Sequence, residues 1–104
     1  MTSLGESLNK DRSIIRTLEQ IESELGVNKF IIVDHWDADV CAVEISDHKQ
    51  QLLIYFSTWK KEKGHYYAAI ERRNPSKNLP FEVIQTHETI TLKELIALCK
   101  LNFS

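Results

Sequence analysis

The chain has 104 residues, 42% hydrophobic and 27% charged, with a net charge of −2. At that length one core can bury roughly two-thirds of the surface the unfolded chain exposes, so a single domain spanning 1–104 is expected. The balance excludes a disordered tail and gives only weak support to a chain held to nucleic acid by bulk positive charge, and the longest apolar run, Phe30 to Val33, falls far short of the ~20 residues of a membrane helix.

Met1 to Gly26 alternates charges with isolated aliphatics and has no apolar stretch of the signal-peptide kind, so a cytoplasmic location is expected. Ser3-Leu4-Gly5-Glu6 has the form of a capping box, and the helix starts there or near Asp11. Ile14, Leu18, Ile21 and Leu25 recur at helical spacing and give one inward stripe, with Ile15 alongside. Gly26 is the natural stop, because the residue past a helix end often needs positive φ. Arg12, Arg16, Glu19 and Glu22 belong to the solvated face.

Four strands are expected next: Lys29–His35, Asp39–Ile45, Gln51–Trp59 and His65–Ile70. Their connections are too short for parallel crossovers, so the topology is an antiparallel meander. Period-two alternation places Cys41, Val43, Ile45, Leu52, Ile54, Phe56, Tyr66, Ala68 and Ile70 on the main core face. The other face, with Val40, Ala42, Leu53, Tyr55, Tyr67 and Ala69, is less polar than a solvated sheet face should be. It calls for cover by a helix or by a partner.

Arg72 to Leu79 is polar, contains Pro75 and reads as a loop. A fifth strand, Phe81–Gln85, follows Pro80; His48 and His87 read as loop residues. Thr91-Leu92-Lys93-Glu94 is a second capping box, opening a helix through Leu101 with a stripe of Leu92, Leu95, Ile96 and Cys99 that Leu98 and Leu101 widen. The fold class is therefore α+β: an N-terminal helix, a meander of four to five strands and a C-terminal helix. Cys41 and Cys99 sit among aliphatic neighbours, where a thiol serves as a small hydrophobe, and in a reducing compartment no disulfide between them is expected.

Charge is distributed unevenly along the chain. Val27 to Thr58 carries five acids against two bases, whereas Trp59 to Leu79 carries six bases against two acids. A meander returns alternate turns to one end of the sheet, so the turn bearing Asp34, His35, Trp36, Asp37 and Asp39 is expected beside the turn bearing Trp59, Lys60, Lys61, Lys63 and His65. Three chemistries compete for this rim with the plain reading of turn residues and partly buried tryptophans. His35 as general base, oriented by Asp37 or Asp39, would make a small enzyme or ligand-binding site. His35, Asp37, Asp39 and His65 supply metal-ligand types, but at no zinc-motif spacing and next to lysines that oppose a cation. Tryptophans and Tyr55 as contact anchors, with the charges as aligners, make a protein-binding rim. Arg72, Arg73 and Lys77 form another basic cluster, without the aromatic platform that single-stranded nucleic acid uses.

The segments Val33 to Val43, Leu53 to Trp59 and Tyr66 to Glu71 resemble small bacterial proteins of unknown function, and in general build the chain resembles immunity proteins of toxin–immunity systems. The similarity runs from Lys29 to the C-terminal helix, although this chain is less acidic than many nuclease-directed immunity proteins. The resemblance implies a stoichiometric inhibitor of a cognate toxin domain. Asp34, Asp37 and Asp39 would meet the toxin's basic residues, and Trp36, Trp59 and Tyr55 would anchor the contact. It implies no cofactor. A structural homodimer joined through the Tyr55 face is the remaining alternative.

Overall fold

A computed structural model describes residues 10–33, 40–74 and 81–103. Its first helix, α1 (Arg12–Leu25), begins at Asp11, whose carboxylate accepts hydrogen bonds from the Ser13 amide at 3.1 Å and the Ser13 hydroxyl at 2.6 Å. Those two donors hold the Asp11 carboxyl below its ordinary range. The cap is therefore Asp11; Ser3 to Glu6 lie outside the described residues. Ile14, Leu18 and Ile21 are fully buried, as their spacing predicts. Gly26 ends the helix at φ 110°, its amide donating to the Glu22 carbonyl at 2.8 Å.

The sheet contains β1 (Ile31–Ile32), β2 (Ala42–Ser46), β3 (Leu52–Ser57), β4 (His65–Arg73) and β5 (Phe81–Thr91), paired antiparallel in chain order. The final helix, α2 (Leu92–Phe103), follows β5 without a loop. Fold class and strand topology agree with the sequence reading. Several bounds do not. The first strand is only two residues long among the described residues, and the second and third are each shorter than expected.

β4 continues through Arg72 and Arg73, which pair with Glu82 and Phe81, so these residues are strand and not loop. β5 extends six residues past Gln85 and takes His87 with it. The threonines at 86, 89 and 91 are β-branched and suit a pleated surface, and that propensity carries the strand beyond its apolar residues.

Cross-strand rows explain the core. Val43 lies opposite Phe56 and Phe56 opposite Ala68; Ile45 lies opposite Ile54 and Ile54 opposite Ile70. Side chains directly opposite one another share a face, and these rows pack in one cluster with Ile14, Leu18 and Ile21 of α1 and Leu95, Cys99 and Phe103 of α2. Both helices thus cover the same side of the sheet. Phe30 meets Phe103 at 6.4 Å between ring centroids, and Phe56 meets Tyr66 edge to face at 6.1 Å. Thr17 of α1 and Tyr66 of β4 share a buried 2.7 Å hydrogen bond that ties the helix to the sheet.

The second capping box forms as predicted. The Thr91 amide donates to Glu94 Oε1 at 2.9 Å and the Glu94 amide to Thr91 Oγ1 at 3.2 Å. Leu101, expected to widen the buried stripe, is 82% exposed. Cys41 and Cys99 are free thiols. Among the described residues no helix is long and apolar enough to cross a membrane.

Candidate functional site

The face of the sheet opposite both helices carries Glu44 of β2, Tyr55 and Ser57 of β3 and Tyr67 of β4, with Glu44 opposite Tyr55 and Ser57 opposite Tyr67. The two tyrosine rings meet edge to face at 6.1 Å and 69°. Both are half-buried, so each still offers part of its ring.

The turn after β3 is built to present one side chain. The Thr58 amide donates to the Cys41 carbonyl at 2.9 Å, the Trp59 amide to Ser57 Oγ at 3.0 Å and the Lys61 amide to the Thr58 carbonyl at 3.0 Å. Lys60 takes φ 56° and Gly64 φ 81°, which closes the turn tightly. The Trp59 indole is thereby left 64% exposed, with Lys60 Nζ 5.7 Å from its ring centroid. Lys61 folds the other way, towards β5. Its Nζ reaches Thr89 Oγ1 at 3.0 Å and Glu88 Oε1 at 3.5 Å.

Tyr55, Ser57 and Tyr67 with Trp59, Lys60, Lys61 and Glu88 line a groove of ≈ 410 Å³. Its lining is an aromatic floor with one wall of mixed charge. Such a surface gives apolar contact area and polar alignment, and it holds no nucleophile–base pair. A second groove, ≈ 560 Å³, lies between the helices and is lined by Leu92, Ile96 and Ala97 with Gln20, Glu24, Lys93 and Lys100; the Lys100–Glu24 ion pair at 3.4 Å ties its walls.

Of the residues the sequence singled out, Tyr55, Trp59, Lys60 and Lys61 come together in the first groove. His65 does not line it: it is half-buried at the start of β4, opposite Thr91, with Nδ1 3.3 Å from the Lys63 carbonyl. Asp34, His35, Trp36, Asp37 and Asp39 lie outside the described residues, as do the general-base and metal-ligand readings that need them. The chain that follows them does reach this end of the molecule. Cys41 accepts from Thr58, and Val40 accepts from the Asp11 amide at 2.8 Å. Among the described residues no group of three or more histidine, cysteine or acidic side chains could hold a metal.

A fifth strand that ends at Gln85 leaves out Glu88; the threonine-rich continuation of the sequence is the signal that reaches it. Period-two alternation puts Tyr67 on this face, and its register opposite Ser57 brings it into the groove. His87 is no loop residue. It is half-buried opposite Ala68, and its Nε2 is buried without a hydrogen-bond partner among the described residues. The Arg72 and Arg73 cluster is occupied within the protein: Arg72 pairs with Glu82 at 3.6 Å and Arg73 lies 5.9 Å over the Phe81 ring. Burial pushes the Cys99 thiol up to about 12, which makes it a core group and not a nucleophile.

Comparison of the chain with protein-family models, with curated proteins and with solved structures produced no match.

Proposed function

We propose that the protein binds another protein through the Tyr55–Tyr67–Trp59 surface and that, in its finer form, it is an immunity-type stoichiometric inhibitor of a toxin domain. The observation that carries the reading is Trp59, 64% exposed beside two half-buried tyrosines on the sheet face away from both helices. An indole held out by a closed turn gains about 2–4 kcal/mol when its remaining surface is removed from water. Tryptophan and tyrosine at the centre of a contact are the residues that most often dominate binding energy. Lys60 and the Lys61–Glu88 pair supply the polar rim. The inhibitor reading adds Asp34, Asp37 and Asp39, which precede Val40 in the chain, as the complement to basic groups of the toxin.

The test is co-expression with the product of the neighbouring gene, followed by purification, measurement of stoichiometry and a toxicity assay. A one-to-one complex, protection of the host, and at least a 30-fold loss of affinity in Trp59→Ala are expected, about 2 kcal/mol. Unchanged affinity in Trp59→Ala would remove this surface from the account. A tight complex that leaves the partner's toxicity intact would retain the binding reading and sink the inhibitor one.

A further inference from the structure

Charge separates the two lysines of the Tyr55–Trp59 groove. Lys61 is matched within the protein: its side chain is 14% exposed, and its Nζ meets Glu88 at 3.5 Å and the Thr89 hydroxyl at 3.0 Å. Lys60 is matched by no acid. It is exposed, its ammonium lies 5.7 Å from the Trp59 ring centroid, and among the described residues no carboxylate pairs with it. An indole face attracts an exposed cation weakly and leaves its charge in place. The other acids of this sheet face do not cancel that charge. Glu44, opposite Tyr55, is 4% exposed and is engaged within the protein. Glu71 lies four residues along β4 from Tyr67, about 13 Å away in extended backbone. The turn itself sets Lys63 against Glu62. The groove therefore combines an aromatic floor with one unmatched positive charge.

We infer that the groove takes an acidic side chain of its protein partner on Lys60, with an aliphatic neighbour of that side chain laid on the tyrosine floor. The inference rests on the protein-binding reading of this surface and adds the chemistry of what it holds. A partner that only stacked would leave the Lys60 charge as it is. A basic group would meet that ammonium as a like charge and compete with it for the Trp59 face, while Glu88, the carboxylate that could draw it in, is already matched by Lys61. A carboxylate meets the opposite charge and disturbs no existing pair. Tyr55 and Tyr67, edge to face at 6.1 Å and half-buried in the same groove, supply apolar area for the neighbouring aliphatic group.

The probes are blocked peptides, acetyl-Gly-Leu-X-Leu-Gly-amide with glutamate, glutamine or lysine at X, titrated at low salt into the isotope-labelled full chain. The Trp59 indole N–H resonance, assigned with Trp59→Phe, reports occupancy. The glutamate peptide is expected to bind about threefold more tightly than the glutamine peptide and about tenfold more tightly than the lysine peptide, the range of an exposed ion pair and of its reversal. Added salt should shrink both ratios. Lys60→Met keeps an unbranched stem at φ 56° and should bring the glutamate and glutamine peptides to equal affinity. Equal affinities in the unaltered protein, tighter binding of the lysine peptide, or a glutamate preference that survives Lys60→Met overturns the inference and leaves the binding surface standing. No shift with any of the peptides overturns it too; the surface is then judged separately, by Trp59→Ala in the co-purified complex.

Discussion

The Thr17–Tyr66 contact has a donor order that can be deduced, and the order makes a quantitative prediction. Thr17 Oγ1 is 2.7 Å from the Ser13 carbonyl, which can only accept, so the single hydroxyl hydrogen of Thr17 goes there. The Tyr66 hydroxyl, 2.7 Å from the same oxygen, must then be the donor to Thr17. Both residues are buried. Tyr66→Phe removes that donor and leaves Thr17 with its own bond made, so it loses one neutral hydrogen bond, about 1 kcal/mol. In a chain of this size that lowers Tm by roughly 4–8 °C. Thr17→Val is close in shape but leaves the Tyr66 hydrogen buried without an acceptor, at about 2 kcal/mol. With both groups gone nothing is left unsatisfied, so the double variant should cost no more than Thr17→Val alone. Urea titrations followed by far-UV circular dichroism measure all four proteins; fluorescence is a poor choice because Trp59 is already exposed. A Tyr66→Phe cost larger than that of Thr17→Val, or a double variant equal to the sum of the singles, would refute the assignment.

Three further outcomes follow from the same kind of reasoning. Thr91→Ala removes the hydroxyl that accepts from the Glu94 amide and should destabilise by about 1 kcal/mol, read by thermal unfolding, with the sheet signal retained up to the transition. Glu94 has its carboxyl held below the ordinary 4.5, first by the Thr91 amide and then by the Thr91 hydroxyl. A folded-state value below the unfolded one means stability present above the unfolded value and lost as pH falls through the folded one. The stability gap between wild type and Glu94→Ala should therefore narrow on acidification below 4.5, and a gap that stays constant would contradict it. Thiol labelling at pH 8 without denaturant should modify Cys41 and spare Cys99, whose burial pushes its thiol up to about 12; peptide mapping that found Cys99 modified first would show the α2 core to be open.

Much of the architecture is written in local patterns, because the forces that decide it act between near neighbours. The Ile14–Leu18–Ile21 spacing, the Thr91–Glu94 box and the alternation through Val43, Ile45, Ile54 and Phe56 each specify an element and its buried side, and short connections leave only antiparallel pairing. What failed locally was the length of β4 and β5. Arg72 and Arg73 are polar, and their partners Glu82 and Phe81 across the ladder keep them in strand, while the β-branched threonines carry β5 past Gln85.

The sequence by itself determined the order of elements, the antiparallel meander and the apolar face, since periodicity and turn length are properties of consecutive residues. Tertiary structure alone decided that both helices share one side of the sheet and that Trp59 stands outside the core. It also joined Lys61 to Glu88, 27 positions along the chain, across two strands. Such pairings depend on register, which is set by the summed packing of whole strands and not by any residue's immediate neighbours.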